Sequence, residues 1–170
     1  MLFPGLLNKR RTALMAMKTD PSWLFATWFG CGHVPKGPGT AGSIGALLVA
    51  LPLAAMGLPP WGFLVLAMLL LYPAIAASDS VAVRLGQKDP QIVVIDEVLG
   101  QWITLGGASV LNWRSFLLGL VLFRLFDIFK PPPIRRLERI PGGTGIVLDD
   151  VLAGVYGALV MAVAGRFGLY

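Results

Sequence analysis

The chain has 170 residues, of which 56% are hydrophobic and 14% are charged, and its formal net charge is +5. A soluble domain has about 25% charged residues, so this composition argues against an ordinary water-soluble enzyme and favours one integral membrane domain. A single cysteine, Cys31, excludes an internal disulfide. In a membrane protein the basic excess reports orientation and lipid headgroups, so we expect membrane lipids and no nucleic acid as partners.

The N-terminal part of the chain is predicted to be a tail followed by an interfacial helix. Residues 1–20 are interpreted as a tail, because their basic residues follow a short apolar start instead of preceding a long apolar core. Residues 22–29 (SWLFATWF) are aromatic, which is typical of a segment lying along the membrane interface. Residues 21–170 are predicted to form one membrane-embedded domain, and the sequence leaves its oligomeric state open.

Two membrane helices are predicted between Lys36 and Asp79, where no charged residue occurs. A membrane span needs roughly 20 apolar residues, so this stretch is long enough for two. The sequence GLPP at residues 57–60 divides it, because proline cannot continue a helix beyond its first turn. We therefore predict a helical hairpin of residues 41–56 and 61–78.

Three further apolar segments follow at residues 92–108, 115–129 and 146–165. They are shorter or more polar than the first two, so we expect these helices to tilt or to begin at the level of the headgroups. The predicted fold is therefore all-α. It is a polytopic membrane helical bundle with about four to five embedded helices and an interfacial N-terminal helix.

The lysines and arginines are distributed unequally between the two sides of this topology. Only Arg114 and Arg166 fall on one side, and Arg124 lies within a predicted span. Because positively charged loops stay in the cytoplasm, the N-terminus is predicted to be cytoplasmic, and five spans place the C-terminus outside. A half-embedded segment would change the side of the C-terminus. The eleven residues predicted to be cytoplasmic are Lys9, Arg10, Arg11, Lys18, Lys36, Arg84, Lys88, Lys130, Arg135, Arg136 and Arg139.

Six of the nine acidic residues fall at the cytoplasmic ends of the predicted helices. A charge inside a span costs roughly 2.5–3.5 kcal/mol on insertion scales and is usually functional. Acids at helix N-termini can also simply complement the helix dipole, but Asp127 is predicted near a helix C-terminus, where a carboxylate is disfavoured. The six residues are Asp79, Asp96, Glu97, Asp127, Asp149 and Asp150.

Carboxylates without cysteine or histidine among them suit a hard cation, Mg²⁺ or Ca²⁺, rather than zinc. His33 is the only histidine, which excludes a phosphatase mechanism with a histidine nucleophile and a second histidine as acid. Successive side chains of a helix diverge by about 100°. We therefore expect one member of each of the pairs Asp96/Glu97 and Asp149/Asp150 to bind the metal directly. The preferred metal ligands are Glu97, Asp127 and Asp150.

Cationic side chains accompany these carboxylates. Arg124, Asp127 and Lys130 are spaced i, i+3, i+6, which places them along one face of a helix. A carboxylate-held metal flanked by Arg and Lys can neutralise phosphoryl oxygens as charge builds up in the transition state. The simpler alternative for Arg124 and Asp127 is a structural ion pair within the helix.

A glycine-rich stretch, KGPGTAGS at residues 36–43, precedes the first predicted span. Gly39 and Gly42 let backbone N–H groups approach an anion near a helix N-terminus. Thr40 and Ser43 either donate a hydroxyl to phosphate or cap the helix. The stretch lacks the residue order of a nucleotide P-loop. A similar sequence, GGTG at residues 142–145, either repeats the arrangement or forms a turn.

Four sequence blocks carry a family signature. They are GTxGS from Gly39 to Ser43, DExxGxW from Asp96 to Trp102, FRxFDxxKPxPI from Phe123 to Ile134 and GxGIxxDDxxAG from Gly143 to Gly154. Together, in this order and spacing, they resemble the signature of the phosphatidylglycerophosphatase A family. The resemblance covers nearly the whole chain, from residue 21 to residue 165.

This resemblance implies a multi-pass phosphatase of the bacterial inner membrane with its active site facing the cytoplasm. The implied reaction is Mg²⁺-dependent removal of the terminal phosphate of phosphatidylglycerophosphate. It gives phosphatidylglycerol and phosphate, the last step of phosphatidylglycerol synthesis. The expected catalytic residues are Asp96, Glu97, Asp127, Asp149 and Asp150. The expected phosphate-binding residues are Gly39, Thr40, Gly42, Ser43, Arg124 and Lys130.

Two questions stay open at the level of the sequence. The nucleophile is either a water molecule activated by a carboxylate or an aspartate that forms a phosphoenzyme. The alternative function is a transporter or channel that uses the intramembrane carboxylates as an ion pathway. Their position at one face instead of along a path argues against that function.

Overall fold

The computed structural model describes residues 20–170, and within them it contains seven helices and no β-strand. The predicted all-α class is confirmed. The predicted N-terminal tail lies outside the described residues except for Asp20. In chain order the helices are α1 (Pro21–Ala26), α2 (Pro38–Ala55), α3 (Pro60–Leu85), α4 (Ile95–Gly106), α5 (Trp113–Phe129), α6 (Ile134–Leu137) and α7 (Gly143–Arg166).

Three of these helices, α2, α3 and α7, are long and apolar enough to cross a membrane. They contain 18, 26 and 24 residues. Because each helical residue adds about 1.5 Å, even the shortest approaches the thickness of the hydrocarbon core. Large apolar side chains such as Leu48, Leu69 and Leu159 are exposed on them. Exposed apolar surface of this kind is what a lipid-facing helix presents.

The hairpin of α2 and α3 is longer than predicted at the start of α2 and at the end of α3. Helix α2 begins at Pro38 instead of residue 41, because proline is well tolerated in the first turn of a helix. Helix α3 continues to Leu85, seven residues past the predicted end, and stops at Gly86, which has a φ of 62°. Asp79 therefore lies inside α3 instead of ending it.

Helix α4 is a buried core helix and not a lipid-facing span. Its 12 residues are about 18 Å long, which is shorter than the hydrocarbon core, and ten of them are buried. It packs against α2, α3, α5 and α7. The segment predicted at residues 92–108 is apolar because other helices enclose it.

Helices α4 and α7 approach each other backbone to backbone. A Cβ atom at Gly154 would lie 2.5 Å from the carbonyl oxygen of Gly100, and one at Gly100 would lie 2.7 Å from that of Asp150. The Thr104 hydroxyl donates to the carbonyl oxygens of Gly100 at 3.0 Å and Gly154 at 3.2 Å. Small residues of this kind allow close helix packing in membranes. The close packing at Gly100 and Gly154 places Asp150 against the first turns of α4.

The N-terminal aromatic segment packs into the bundle. Helix α1 is only six residues long, and the side chains of Trp23 and Trp28 are buried. The ring of Trp28 meets the ring of Trp102 on α4 edge to face, with the centroids 5.8 Å apart. The Val94 N–H donates to the Ala26 carbonyl at 2.9 Å. The predicted interfacial helix is thus shorter than residues 22–29 and is held against the start of α4.

Candidate active site

A cavity of about 410 Å³ opens at one end of the bundle. It lies between the N-termini of α2 and α4, the C-terminus of α5 and the second turn of α7. These elements come together because the long helices run antiparallel and because α4 starts at the same end as α2 and α7. The cavity is lined by all five predicted catalytic acids and both predicted cations, Asp96, Glu97, Asp127, Asp149, Asp150, Arg124 and Lys130.

Three carboxylates form the closest cluster in this cavity. Asp96, Glu97 and Asp150 each offer one oxygen atom, and these oxygens lie within 4.8 Å of one another. Asp96 Oδ1 and Glu97 Oε2 are buried and have no hydrogen-bond partner within residues 20–170. Like charges taken out of water require a compensating cation, and three carboxylate oxygens suit a hard divalent ion. The residues present therefore fit a metal site.

The two pairs of adjacent acids, Asp96/Glu97 and Asp149/Asp150, differ in how many of their members reach the cluster. Both Asp96 and Glu97 reach the cluster, because the extra methylene of Glu97 compensates for its divergence from Asp96 in the first turn of α4. In the second pair, only Asp150 belongs to the cluster, while Asp149 Oδ2 accepts a hydrogen bond from Lys130 Nζ at 2.6 Å. Asp96 thus joins Glu97 and Asp150 in the closest cluster, while Asp127 lines the same cavity beside Arg124. The metal-binding role of Asp127 stays a prediction.

Asp149 and Asp150 do not open their helix, contrary to the sequence-based expectation. Helix α7 begins at Gly143, so the two acids are its seventh and eighth residues, and its first turn has no acidic residue. The interaction of a charge with the helix dipole falls off within the first turn. Dipole compensation therefore does not explain these two buried carboxylates.

Arg124 and Asp127 form the ion pair within α5 that the sequence offered as the simpler alternative. Arg124 Nη1 lies 2.6 Å from Asp127 Oδ2. The contact lacks hydrogen-bond geometry, so Nη1 is a buried donor without an acceptor in the described part of the chain. Gly39 of α2 lies directly beside it, and a Cβ atom there would overlap Glu97 Oε1 and lie 3.1 Å from Arg124 Nη1. Only glycine lets α2 approach these side chains so closely.

Lys130 ends α5 and turns its side chain toward α7. Its backbone has a φ of 44°, a left-handed conformation that redirects the chain after Phe129. Its Nζ lies 2.6 Å from Asp149 Oδ2 and 3.8 Å from Glu138 Oε1. Burial alone lowers the pKa of Lys130, but the hydrogen bond and charge of Asp149 outweigh it and raise the pKa above its ordinary value. Lys130 is therefore a permanent cation beside the carboxylates.

The glycine-rich stretch contributes less of the cavity wall than its sequence suggests. Gly39 lines the cavity, but Thr40, Gly42 and Ser43 do not. Thr40 is exposed, a Cβ atom at Gly42 would lie 2.8 Å from Val94 Cβ, and the Ser43 hydroxyl donates to the Gly39 carbonyl at 3.0 Å. Because α2 begins at Pro38, Thr40, Gly42 and Ser43 are part of this helix and do not form an open loop. Their role in phosphate binding stays a prediction.

The cavity also contains residues that were not predicted from the sequence. Asp89 and Gln91, in the loop before α4, line it together with Pro35 and Gly37. Burial raises the pKa of Asp89, and the nearby charge of Lys130 opposes this shift. Asp89 and Gln91 lie in a loop, so the spacing of residues along a helix could not predict that they line the cavity. The only sequence signal was the charged pair Lys88-Asp89 at the cytoplasmic end of a predicted helix.

Comparison with known proteins agrees with this arrangement. A family model described as Phosphatidylglycerophosphatase A matches residues 24–165. The chain belongs to the phosphatidylglycerophosphatase A family. The match includes all five acids, both cations and Gly39, so the residues that line the cavity lie within the family's common region.

Individual relatives also carry the names of lipid phosphatases. The phosphatidylglycerophosphatase A of Escherichia coli K12 is 36% identical over 151 residues, which is 87% of this chain and 86% of the relative. That of Haemophilus influenzae is 35% identical over 144 residues, 84% and 87% of the two chains. A Bacteroides thetaiotaomicron protein, provisionally named a phosphatidylinositol-3-phosphatase, is 38% identical over 149 residues, 83% and 91% of the two chains.

No solved structure gives a significant match to this chain. The fold is therefore defined by the helices of this structure alone, and the enzyme class is assigned from the family. Membership of the phosphatidylglycerophosphatase A family and the relatives' names make this protein a phosphatase.

Proposed function

We propose that this protein hydrolyses the terminal phosphate of phosphatidylglycerophosphate, giving phosphatidylglycerol and inorganic phosphate, with Mg²⁺ as its cofactor. The observation that carries the proposal is the cluster of Asp96, Glu97 and Asp150 in one cavity with Arg124 and Lys130. Carboxylates for a metal and cations for phosphoryl oxygens are the two requirements of phosphate ester hydrolysis. The identity of the lipid follows the names of the E. coli and H. influenzae relatives.

Asp96, Glu97 and Asp150 would hold the metal ion, because each offers an oxygen within 4.8 Å of the others. Asp96 Oδ1 and Glu97 Oε2 also have no hydrogen-bond partner within residues 20–170. When bound, Mg²⁺ supplies positive charge to the phosphoryl oxygens of the substrate. An all-oxygen ligand set favours Mg²⁺ or Ca²⁺ over softer metals. Asp127 and Asp149 lie in the same cavity and pair with Arg124 and Lys130. In this arrangement they orient the two cations.

The chain's own cations would bind and orient the terminal phosphate. Arg124 Nη1 is buried 2.6 Å from Asp127 Oδ2, and none of its contacts within residues 20–170 has hydrogen-bond geometry, so a phosphoryl oxygen placed beside it would gain a charge-assisted hydrogen bond. Lys130 provides a second positive charge in the cavity, at the C-terminal end of α5. In the reaction, an oxygen–phosphorus bond forms to water while the bond from phosphorus to the glycerol oxygen breaks. A carboxylate of the cavity accepts one proton of the water and passes it to the glycerol oxygen, which leaves as a hydroxyl.

The position of the cavity suits a substrate that stays in the bilayer. It lies at the end of α2 and α7 where these apolar helices begin, so a lipid headgroup reaches it while the acyl chains remain among the helices. Lys36, Lys88 and Arg136 belong to the same end of the molecule, which the positive-inside rule assigns to the cytoplasm. We therefore place the protein in the bacterial inner membrane with the site facing the cytoplasm.

The decisive experiment measures phosphate release by the purified, detergent-solubilised protein. The substrates are phosphatidylglycerophosphate and phosphatidylinositol 3-phosphate, each assayed with Mg²⁺ and after chelation. We expect hydrolysis of phosphatidylglycerophosphate that is lost on chelation and restored by Mg²⁺. Preferential hydrolysis of the inositol lipid, following the Bacteroides relative's name, would refute the proposed substrate. Ion flux into protein-containing vesicles without phosphate release would support the transport alternative.

Two substitutions test the site itself. Asp127→Asn and Asp150→Asn each remove one charge from the cavity and keep the side-chain size. We expect each to lower kcat by about a thousandfold, because a misplaced metal or cation no longer stabilises the transition state. Asp20→Asn is the matched control, since Asp20 pairs with Arg84 away from the cavity. Near-normal turnover in both cavity variants would refute the site assignment.

The proposed nucleophile is water rather than an aspartate of the chain. Direct attack leaves no covalent intermediate, so rapid acid quenching during turnover of radiolabelled substrate is expected to yield unlabelled protein. An aspartyl phosphate survives acid and is cleaved by hydroxylamine. Trapping such an adduct would replace direct attack with the two-step route.

A further inference from the structure

Three arginines follow the C-terminal end of α5. Arg135 and Arg136 lie on the short helix α6, and Arg139 follows it. All three are exposed, and none has a carboxylate within ion-pair distance in residues 20–170. Glu138 on the same segment is also exposed and lies 3.8 Å from Lys130 Nζ, so the three arginines leave the segment with a net positive charge. These three arginines are here called the arginine surface.

Apolar side chains adjoin the arginine surface. Ile128 and Phe129, the last two residues of α5, are each 66% exposed. An exposed isoleucine and phenylalanine beside exposed arginines are typical of the boundary between the hydrocarbon layer and the headgroups. At such a boundary the apolar residues would enter the acyl chains and the arginines would lie level with the lipid phosphates.

The arginine surface is fixed to the bundle. Ile134, the first residue of α6, is fully buried in a small core with Phe123 and Ala153. The Tyr156 hydroxyl of α7 donates to the Pro132 carbonyl at 3.0 Å. Arg135 Nη2 donates to the carbonyl of Phe129 at 3.2 Å. The positive-inside rule accounts for the number of arginines here, but not for their attachment to the helices that build the cavity.

We propose that the arginine surface binds anionic phospholipid headgroups and so concentrates the anionic lipid substrate beside the cavity. The segment that carries it follows directly after Lys130, which lines the cavity, so the arginine surface adjoins the proposed phosphate site. Each basic residue near a membrane surface attracts anionic lipid, and clusters act together. The role in substrate supply rests on the proposed function, whereas headgroup binding does not.

The binding part of the proposal is tested without any turnover. The purified protein is equilibrated in mixed micelles with phosphatidylglycerol or phosphatidylcholine, and the retained lipid is counted by native mass spectrometry. We expect wild type to retain phosphatidylglycerol preferentially. Changing Arg135, Arg136 and Arg139 together to Gln is expected to reduce this preference about tenfold, and changing them to Lys to preserve it. Equal retention by wild type and the Gln variant would overturn the proposal.

The kinetic part uses the same variants in detergent micelles, where membrane orientation no longer matters. With long-chain phosphatidylglycerophosphate the Gln variant is expected to show a KM about tenfold higher at low salt, with kcat unchanged. The difference is expected to disappear at about 0.5 M salt, because salt screens exposed charges. A water-soluble short-chain substrate is expected to be hydrolysed equally by both. A fall in kcat with both substrates would overturn the supply role.

The two parts fail separately. If wild type retains anionic lipid through the arginines but hydrolyses no phosphatidylglycerophosphate, the proposed substrate is wrong and the binding surface stands. If hydrolysis occurs and the lipid preference is absent, the arginine surface is refuted and the proposed function stands.

Discussion

Asp79 Oδ1 accepts a hydrogen bond from the backbone N–H of Gly143 at 3.1 Å, so helix α3 caps the first turn of helix α7. Helix α7 has no cap of its own, because its N-cap residue is Gly142, with a φ of 76°. A Cβ atom at Gly143 would lie 2.7 Å from the backbone nitrogen of Asp79. The two helices therefore meet at their backbones, and this joint fixes the start of the helix that carries Asp149 and Asp150.

Loss of this cap is expected to weaken both the fold and the site. Asp79→Ala leaves the Gly143 N–H without its acceptor and is expected to lower the free energy of unfolding by about 1 kcal/mol. Because the start of α7 loosens, turnover falls as well. Asp79→Asn keeps an acceptor oxygen and is expected to retain most of the activity. Unfolding temperature and phosphate release are measured side by side, and an Ala variant as stable and active as wild type would contradict this role.

A second prediction concerns Gly39. In Gly39→Ala the new methyl group overlaps Glu97 Oε1 and crowds Arg124 Nη1. Either these side chains or the start of α2 must move, and shifts of about 1 Å in a catalytic site can cost a hundredfold in rate. We expect kcat to fall by about that factor while the protein stays folded.

The matched control for Gly39→Ala is Ile44→Ala on the same helix, where the side chain is 45% exposed. It changes an outward-facing apolar residue and leaves the cavity wall intact. Phosphate release by the two variants is compared at equal amounts of folded protein. Equal activities would mean that the close approach at Gly39 is unimportant.

The sequence was sufficient to predict the fold class and the end of the bundle at which the acids gather. Composition and the charge-free stretch before Asp79 predicted the hairpin, and the unequal charges predicted which helix ends face the same way. The i, i+3, i+6 spacing predicted that Arg124, Asp127 and Lys130 share the cavity. These features follow from the spacing of residues along a helix and from the apolar spans that a membrane requires. Both rules apply to every segment in the same way, so the sequence alone was enough.

Contacts between distant segments could not be predicted in this way. The burial of α4 depends on four surrounding helices, whereas its apolar pattern alone predicts a span. The pairing of Asp149 with Lys130 depends on the left-handed turn at Lys130, and the cap on Gly143 depends on where α3 ends. Each is set by tertiary packing rather than by the residues next to it in sequence.

The cluster of Asp96, Glu97 and Asp150 is expected to make the metal-free protein less stable. Two buried carboxylates and the half-buried Glu97 repel one another. Asp150→Asn removes part of this repulsion and is expected to raise the unfolding temperature by about 3 °C in the presence of a chelator. Added Mg²⁺ is expected to stabilise wild type but not the variant, because binding to the native state raises stability. The variant is expected to be inactive throughout.

Unfolding is followed by thermal scans in detergent, with Asp20→Asn as the control for loss of a carboxylate outside the cavity. A lower unfolding temperature for Asp150→Asn than for wild type without metal would mean that the carboxylates do not repel one another. An equal response of both proteins to Mg²⁺ would place the ion elsewhere.

The last prediction tests the close packing of α4 and α7. Gly154→Val adds three carbon atoms where a single Cβ would already lie 2.5 Å from the Gly100 carbonyl oxygen. The helices must separate, which breaks the hydrogen bond from Thr104 to Gly154 and displaces Asp150 from Asp96 and Glu97. We expect the free energy of unfolding to fall by about 3 kcal/mol or more and the activity to be lost. Ala162→Val, on the exposed face of α7, adds two carbon atoms without such a contact and is expected to behave as wild type. The same packing stabilises the bundle and assembles the carboxylates, so stability and activity are expected to fall together. Gly154→Val with normal stability but no activity would contradict this and show that the two roles are separable.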